Sequence, residues 1–352
     1  MHIAAANMAA TPPPDLPGGA LSLSLLNGWQ HDFPLTARPF AIIGGSLGLS
    51  QEDVIARYEL LQREGYISRI GAVVQPNTVG ASTLAALAVP RQHLEEVAAI
   101  VSAQEEVTHN YERAHRYNLW FVIAAPDQAA VSATLARIER QSGLRALNLP
   151  MRRAYHIDLG FALPGEQRAH LPHNAGDDMR TQATDITITP FDRALLAAIE
   201  DGLPLVPEPF AAVAEKLGCA QDVVIRRLAE LKAAGIIRRF GVVVRHRKLG
   251  FLANAMVVWD VPDELVQKAG QALAKAAGVT LCYERRRQLP HWRYNLFCMI
   301  HGRARDAVRR RVRELAELLR DELKRDIAHE ALFSRRCFKQ RGARFSLKGG
   351  GA

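Results

Sequence analysis

The chain is written twice. Displaced by 170 residues, its first third lies over its middle third without a gap. Leu25-Leu26 falls on Leu195-Leu196, Pro34-Leu35 on Pro204-Leu205, and Pro39-Phe40-Ala41 on Pro209-Phe210-Ala211. The register runs on through Leu47-Gly48 over Leu217-Gly218, Gly65 over Gly235 and Val73-Val74 over Val243-Val244, as far as Gly80 over Gly250. Later, Tyr111-Glu112-Arg113 meets Tyr283-Glu284-Arg285 at an offset of 172, and Tyr117-Asn118-Leu119 meets Tyr294-Asn295-Leu296 at 177. The five extra residues make the connection from Arg286 to Arg293 longer in the second copy. Arg152-Arg153 then fits Arg335-Arg336. Whatever one copy of about 150 residues folds into, the other must fold into as well.

Within a copy the patterning changes from helical to mixed. In the second, Pro190 to Glu200 predicts a helix. Phe210, Val213, Ala214 and Leu217 mark a short amphipathic one ending at Gly218. Val224, Leu228 and Leu231 mark a third, closed by Gly235 just past its end. The β-branched run Ile236 to Arg245 predicts a strand. This is a helix-turn-helix with a wing-like strand. Next come a strand over Ala253 to Val261, a helix from Pro262 to Gly278, and strands around Val279 to Arg285 and Tyr294 to Ile300. A long helix follows, turning Val308, Val312, Leu315, Leu319 and Leu323 inward, and then a strand near Ala331 to Phe338. That order is β-α-β-β-α-β, the ferredoxin-like arrangement. The fold class is therefore α+β, two tandem repeats each of a winged-helix-like and a ferredoxin-like domain. The boundaries expected are a flexible tail (1–20), a first helix-turn-helix domain (21–75), a first ferredoxin-like domain (76–163), a linker (164–185), a second helix-turn-helix domain (186–243) and a second ferredoxin-like domain (244–347).

Composition narrows the function classes. The formal charge is +9, from 45 Lys and Arg against 36 Asp and Glu, which suits an anionic partner without choosing one. Nucleic acid, anionic lipid and a polycarboxylate ligand all fit. Four cysteines without a CxxC spacing argue against a disulfide framework or zinc knuckle and suit a reduced cytosol. No apolar run approaches the roughly 18 residues that span a membrane. Met1 to Gly19 lacks a basic region followed by an apolar core, so it is expected to be a tail and not a signal peptide. The expected location is the cytoplasm.

A helix-turn-helix followed by β-α-β-β-α-β resembles the Lrp/AsnC regulators, and the stretch from Leu231 to Gly250 is similar to the segment joining their two domains. Three motifs point to a narrower relative. Thr108 to Val122 (THNYERAHRYNLWFV), Arg152 to Phe161 (RRAYHIDLGF) and Cys282 to Gly302 (CYERRRQLPHWRYNLFCMIHG) resemble siroheme decarboxylases. The match is to the NirD and NirL type, in that order. The resemblance implies removal of the C12 and C18 acetate carboxylates of siroheme as CO2, giving didecarboxysiroheme on the way to heme d1 in denitrification. It implies no cofactor beyond the iron within the substrate, and no separate metal site.

Siroheme is a flat macrocycle ringed by eight carboxylates, so its site needs fixed cations and apolar faces. Arginine suits carboxylates because its planar fork binds them bidentately. Strand alternation puts His109, Tyr111 and Arg113 on one face, with Asn110 and Glu112 on the other; Tyr283, Arg285 and Arg287 share a face likewise. Loss of CO2 leaves an electron pair at the former methylene carbon, and an imidazole can protonate that carbon near neutrality. His109, His115 and His291 are therefore the candidates for proton transfer, His109 and His115 foremost, with Arg113 as carboxylate anchor. Tyr111, Tyr117, Asn118, Arg239, Tyr283, Arg285, Arg287, His291, Trp292, Tyr294 and Asn295 are the candidates for substrate binding. Asn118 and Asn295 would also position the neighbouring turns. The bland readings stand beside these. A Tyr-x-Arg on a strand is more often a solvated edge, Arg239 could simply flank the joining strand, His156 and His301 read as structural, Trp259 as core, and the arginines from Arg309 to Arg313 as a solvated helix face.

Two other functions compete. One is an Lrp-type DNA-binding regulator, the other a tetrapyrrole-binding subunit without chemistry. Against the first, the third helix of copy one sets Arg57 and Arg63 among Glu52, Asp53, Glu59 and Glu64, and an acidic helix does not enter a phosphate-lined groove. Copy two, with Arg226, Arg227 and Lys232, is the better reader. DNA binding is not expected. The partners expected are siroheme, didecarboxysiroheme and companion decarboxylase subunits, with a homodimer or pairing of the two repeats inside one chain.

Overall fold

The computed structural model describes residues 16–157 and 186–345; the first fifteen residues of the expected tail, the linker 164–185 and positions 158–161 of the RRAYHIDLGF stretch lie outside these. Both copies hold the expected element types. The first has α1 (Gly19–Gly28), α2 (Pro39–Leu47), α3 (Gln51–Arg63), β1 (Ile67–Val74), β2 (Ala81–Leu87), α4 (Leu94–Ala103), β3 (Val107–Arg113), β4 (Leu119–Ala125), α5 (Gln128–Ser142) and β5 (Leu147–Ile157). The second has α6 (Pro190–Ala198), α7 (Pro209–Leu217), α8 (Gln221–Ala233), β6 (Ile237–Val244), β7 (Ala253–Asp260), α9 (Val266–Lys275), β8 (Val279–Arg285), β9 (Leu296–Gly302), α10 (Arg305–Leu323) and β10 (Ala328–Gln340).

The compact units follow kind and not chain order. One gathers residues 16–73 and 201–250, the helix-turn-helix parts of both copies except α6, which falls in the other unit. Its wing-like strands do not form separate wings, because β1 and β6 pair with each other in a two-stranded sheet. Gly44 in α2 is dictated by packing. A Cβ there would meet the Leu49 carbonyl oxygen at 2.6 Å. The charges of α8 are paired along the helix, Arg226 with Asp222 at 3.6 Å and Arg227 with Glu230 at 2.7 Å.

The other unit holds 74–157, 186–200 and 251–345. Each copy's four strands take the ferredoxin-like order, β3-β4-β2-β5 and β8-β9-β7-β10. The two sheets then join end to end as a closed eight-stranded barrel, through β5 on β8 and β10 on β3, both antiparallel. The last strand of each copy is the joint. Thr83 to Ala86 of β2 pair with the start of β5, whose remainder from Met151 to Ile157 pairs with β8. Tyr155 therefore packs on the core beneath α9 and α10, and Phe338 of β10 packs on the core beneath α4 and α5. Gly270 of α9 admits this exchange, since a Cβ there would lie 2.3 Å from the Tyr155 ring. Alternation sends one face of each strand to these helix-backed cores and the other inward. There Leu84, Ala86, Trp120, Leu149, Met256, Val258, Phe297 and Leu332 form a third apolar cluster.

Candidate functional site

Two arginines sit at the barrel's joints. Arg113, at the end of β3, is 7% exposed, and its Nη1 donates to the Leu332 carbonyl of β10 at 2.9 Å. Arg285, its counterpart at the end of β8, donates to the Leu149 carbonyl of β5 at 2.7 Å. Arg285 as a whole is half-buried, yet the Nε atoms of both arginines are sealed from solvent and have no hydrogen-bond partner among the described residues. Each guanidinium lies over the tyrosine two residues before it, Tyr111 at 5.6 Å and Tyr283 at 5.4 Å. Among the described residues, no carboxylate pairs with either. Burial pushes both down to about 10, so both stay cationic at neutral pH. A buried cation normally finds an anion. Here the described residues supply none, at two equivalent positions.

A titratable group joins one end of the array. His115, in the β3–β4 turn, accepts the backbone N–H of Tyr117 at Nδ1, 2.9 Å. Its Nε2 faces Glu330 of β10 at 3.4 Å. The same carboxylate accepts the Tyr294 hydroxyl at 2.5 Å. Burial holds the His115 imidazole below its ordinary pKa, opposed by Glu330 and aided by Arg116. With Nδ1 accepting a backbone proton, the imidazole is neutral and carries its hydrogen on Nε2. Burial, with Glu330 next, raises the Tyr294 phenol. Trp292 closes the cluster. It is 2% exposed, lies 5.5 Å from His115, 6.1 Å from Tyr117 and 5.0 Å from Tyr294, and its indole N–H has no partner among the described residues.

Other predicted residues divide. His109 shares the Arg113 face as expected, bonded to the Thr108 hydroxyl at 2.9 Å and stacked on Tyr111, while Asn110 turns the opposite way to the Ala98 carbonyl of α4. Tyr111 donates its hydroxyl to Gln340 at 3.0 Å. Asn118 and Asn295 each join both backbone groups of a single residue, Val89 and Val261, through the two ends of the amide, which holds the neighbouring turn; Asn295 Nδ2 also donates to Asp263 at 3.0 Å. Arg287 does not share the face of Tyr283 and Arg285, because β8 ends at Arg285. It turns instead to Asp260 and Asp263. Arg239 belongs to the other unit, where its Nη1 donates to the carbonyls of Gln30 and Val242 at 2.5 and 3.1 Å. His291 is exposed on the hairpin.

Glu330 was missed. A signal existed: the offset of 183 that matches Arg152-Arg153 to Arg335-Arg336 matches Glu330 to Leu147, a charge where the copy has an apolar residue. Leu332 and Leu149 were invisible, because they act through backbone oxygens.

Comparison with known proteins converges on one family. The family model described as the AsnC-like ligand binding domain matches residues 79–156 and 248–339, and that of the siroheme decarboxylase NirDL-like HTH domain matches 23–67 and 192–238. The siroheme decarboxylase NirDL subunit of Paracoccus pantotrophus is 48% identical over 328 residues, covering 92% of this chain and 96% of that one. A NirD subunit of Stutzerimonas stutzeri, 52% identical over 144 residues, covers 41% of this chain and 95% of its own. The crystal structure of the siroheme decarboxylase NirDL in complex with an iron-uroporphyrin III analogue superposes with a TM-score of 0.64 at 28% identity, over 92% of this chain and 93% of the other. Among the described residues, no helix is long and apolar enough to cross a membrane.

Proposed function

The chain belongs to the siroheme decarboxylases, a family of carboxy-lyases, and from that premise we propose that it removes the C12 and C18 acetate carboxylates of siroheme on the route to heme d1. The observation that carries the reading is the pair of buried guanidiniums, Arg113 and Arg285, that no carboxylate among the described residues pairs with. A ring of carboxylates around a flat apolar macrocycle matches two cations flanked by aromatic faces. The iron-uroporphyrin III analogue held by the solved relative is a ligand of the same class.

In each round the bond between methylene and carboxylate carbons breaks, CO2 leaves, and the electron pair passes into the conjugated ring. A proton then reaches the methylene carbon and completes a methyl group. His115 is the leading donor and His109 the second. His115 is neutral while the site holds no ligand. The negative potential of a bound polycarboxylate favours its protonation, so it takes up the proton that it later delivers. No cofactor is assigned beyond the substrate's iron. Since both joints lie within one chain, no companion subunit is assigned either. Four free cysteines suit the reducing cytoplasm.

Anaerobic incubation with siroheme, followed by chromatography and mass spectrometry, should show stepwise loss of two CO2 units. Arg113→Met and Arg285→Met should each weaken binding of an iron-uroporphyrin III analogue about ten- to a hundredfold, the worth of a charge-assisted pair of roughly 1.5–3 kcal/mol. Unchanged affinity in both variants would overturn the anchoring role, and siroheme that binds but keeps its carboxylates would overturn the reaction assigned to the isolated chain.

A further inference from the structure

The two joints of the barrel are built alike and equipped differently. Carried across by the repeat offsets, His115 falls on Trp292, Glu330 on Leu147 and His109 on Leu281. Where one joint sets an imidazole against a carboxylate, the other has an indole and a leucine. The imidazole and the carboxylate also come from different copies, His115 from the first, Glu330 and Tyr294 from the second.

We propose that Glu330 is a positioning residue of the reaction: held by the Tyr294 hydroxyl, it orients the His115 imidazole through Nε2 and balances the charge that His115 acquires. This rests on the reading of His115 as proton donor. The geometry fixes the neutral ring at two points, the Tyr117 N–H on Nδ1 and the Glu330 carboxylate at 3.4 Å from Nε2; protonation puts a hydrogen on Nδ1 and ends the first contact, so Glu330 is the one that the imidazolium keeps. Tyr294 in turn limits the carboxylate's freedom, donating at 2.5 Å to its other oxygen. The charged and titratable neighbours are few. On the histidine's own turn, exposed Arg116 lies over the Tyr117 ring and opposes an imidazolium. From the hairpin before β9, Arg293 lies over the Tyr294 ring but is paired with Asp260 of β7 at 2.8 Å. Trp292 offers an apolar edge. Glu330 is thus the carboxylate that faces His115, and neither repeat contains the centre by itself.

Glu330→Gln and Tyr294→Phe test this with opposite signs. The imidazole of His115, followed by NMR in the ligand-free full chain and assigned by its loss in His115→Gln, should take up its proton at lower pH in Glu330→Gln. In Tyr294→Phe it should do so at higher pH, because a carboxylate relieved of the phenol is a stronger counter-ion. The pH–rate profile should move the same way, since a donor must be protonated to act. At pH 7.5 the Glu330→Gln rate should drop at least about tenfold, the change expected for one unit of lost proton affinity. Affinity for an iron-uroporphyrin III analogue should not fall in Glu330→Gln. If the midpoint and the profile stay where they are in Glu330→Gln while His115→Gln is inactive, the role of Glu330 is refuted and the reading of His115 survives. If His115→Gln turns over with the parent profile, the donor reading itself fails. Should Glu330→Gln not fold, Tyr294→Phe carries the test alone.

Discussion

Single buried charges set the character of this protein. Arg113 and Arg285 are sealed beside tyrosine faces and given one carbonyl each, an arrangement that is costly until an anion arrives. His246 shows the opposite solution, a titratable group kept neutral. It is 8% exposed in the turn after β6, and burial, with Arg247 second, pushes its pKa down to about 4. Above pH 6.5 it is neutral in folded and unfolded chains alike and the two do not differ. As pH falls from 6.5 towards 4, the unfolded chain takes a proton that the folded one refuses, so stability is lost across that window. The loss amounts to about 3 kcal/mol. Denaturant titrations at pH 7 and pH 4.5 should show it, and His246→Gln should shrink the difference between the two pH values relative to the parent chain. An equal difference in both proteins would show that His246 is not its source.

At the level of elements, the final strand of each repeat has two duties. The first part of β5 completes its own sheet, and the rest joins the neighbour's, with register shifts near Met151 and Ala154 turning it between them. Its Tyr155 ring occupies the space beside Gly270, and that glycine is needed for want of room, not for a special backbone angle. Gly270→Ala should therefore destabilise the chain by about 1–3 kcal/mol, against the small gain that alanine usually brings to a helix interior. Tyr155→Leu should reverse most of that loss in the double variant, read from thermal or denaturant midpoints. A stabilising Gly270→Ala would mean that the exchanged strand packs elsewhere. The Asn118 and Asn295 motifs are legible at this scale too. Their matching bonds to Val89 and Val261 give the recurrence of YNL in both copies a structural reason.

For the molecule as a whole, the barrel unit closes only when both repeats are present. A lone first repeat would leave β3 and β5 as bare sheet edges, and a lone second would leave β8 and β10, the kind of edge that drives association. Cutting the gene between residues 170 and 171 and expressing both pieces together should give a 1:1 complex that keeps affinity for an iron-uroporphyrin III analogue. Either piece alone should aggregate or pair with itself. Two pieces that are each monomeric and stable would contradict a barrel shared between them. Size-exclusion chromatography with light scattering decides the matter.

The internal offset, the apolar periodicities and the glycine stops determined the number of copies, the order of elements and the ferredoxin-like strand sequence, because these depend on local spacing along the chain. Strand alternation likewise placed His109, Tyr111 and Arg113 on one face. It failed for Arg287, since alternation says nothing about where a strand ends and two aspartates wait beyond it. Local patterns also could not say which edge joins which. Pairing between copies depends on complementarity between residues far apart in the chain, such as Arg336 and Glu112 or Tyr155 and Gly270. The contact between His115 and Glu330 is of that kind. Each residue is ordinary in its own stretch of sequence, and closure of the barrel is what sets the imidazole against the carboxylate.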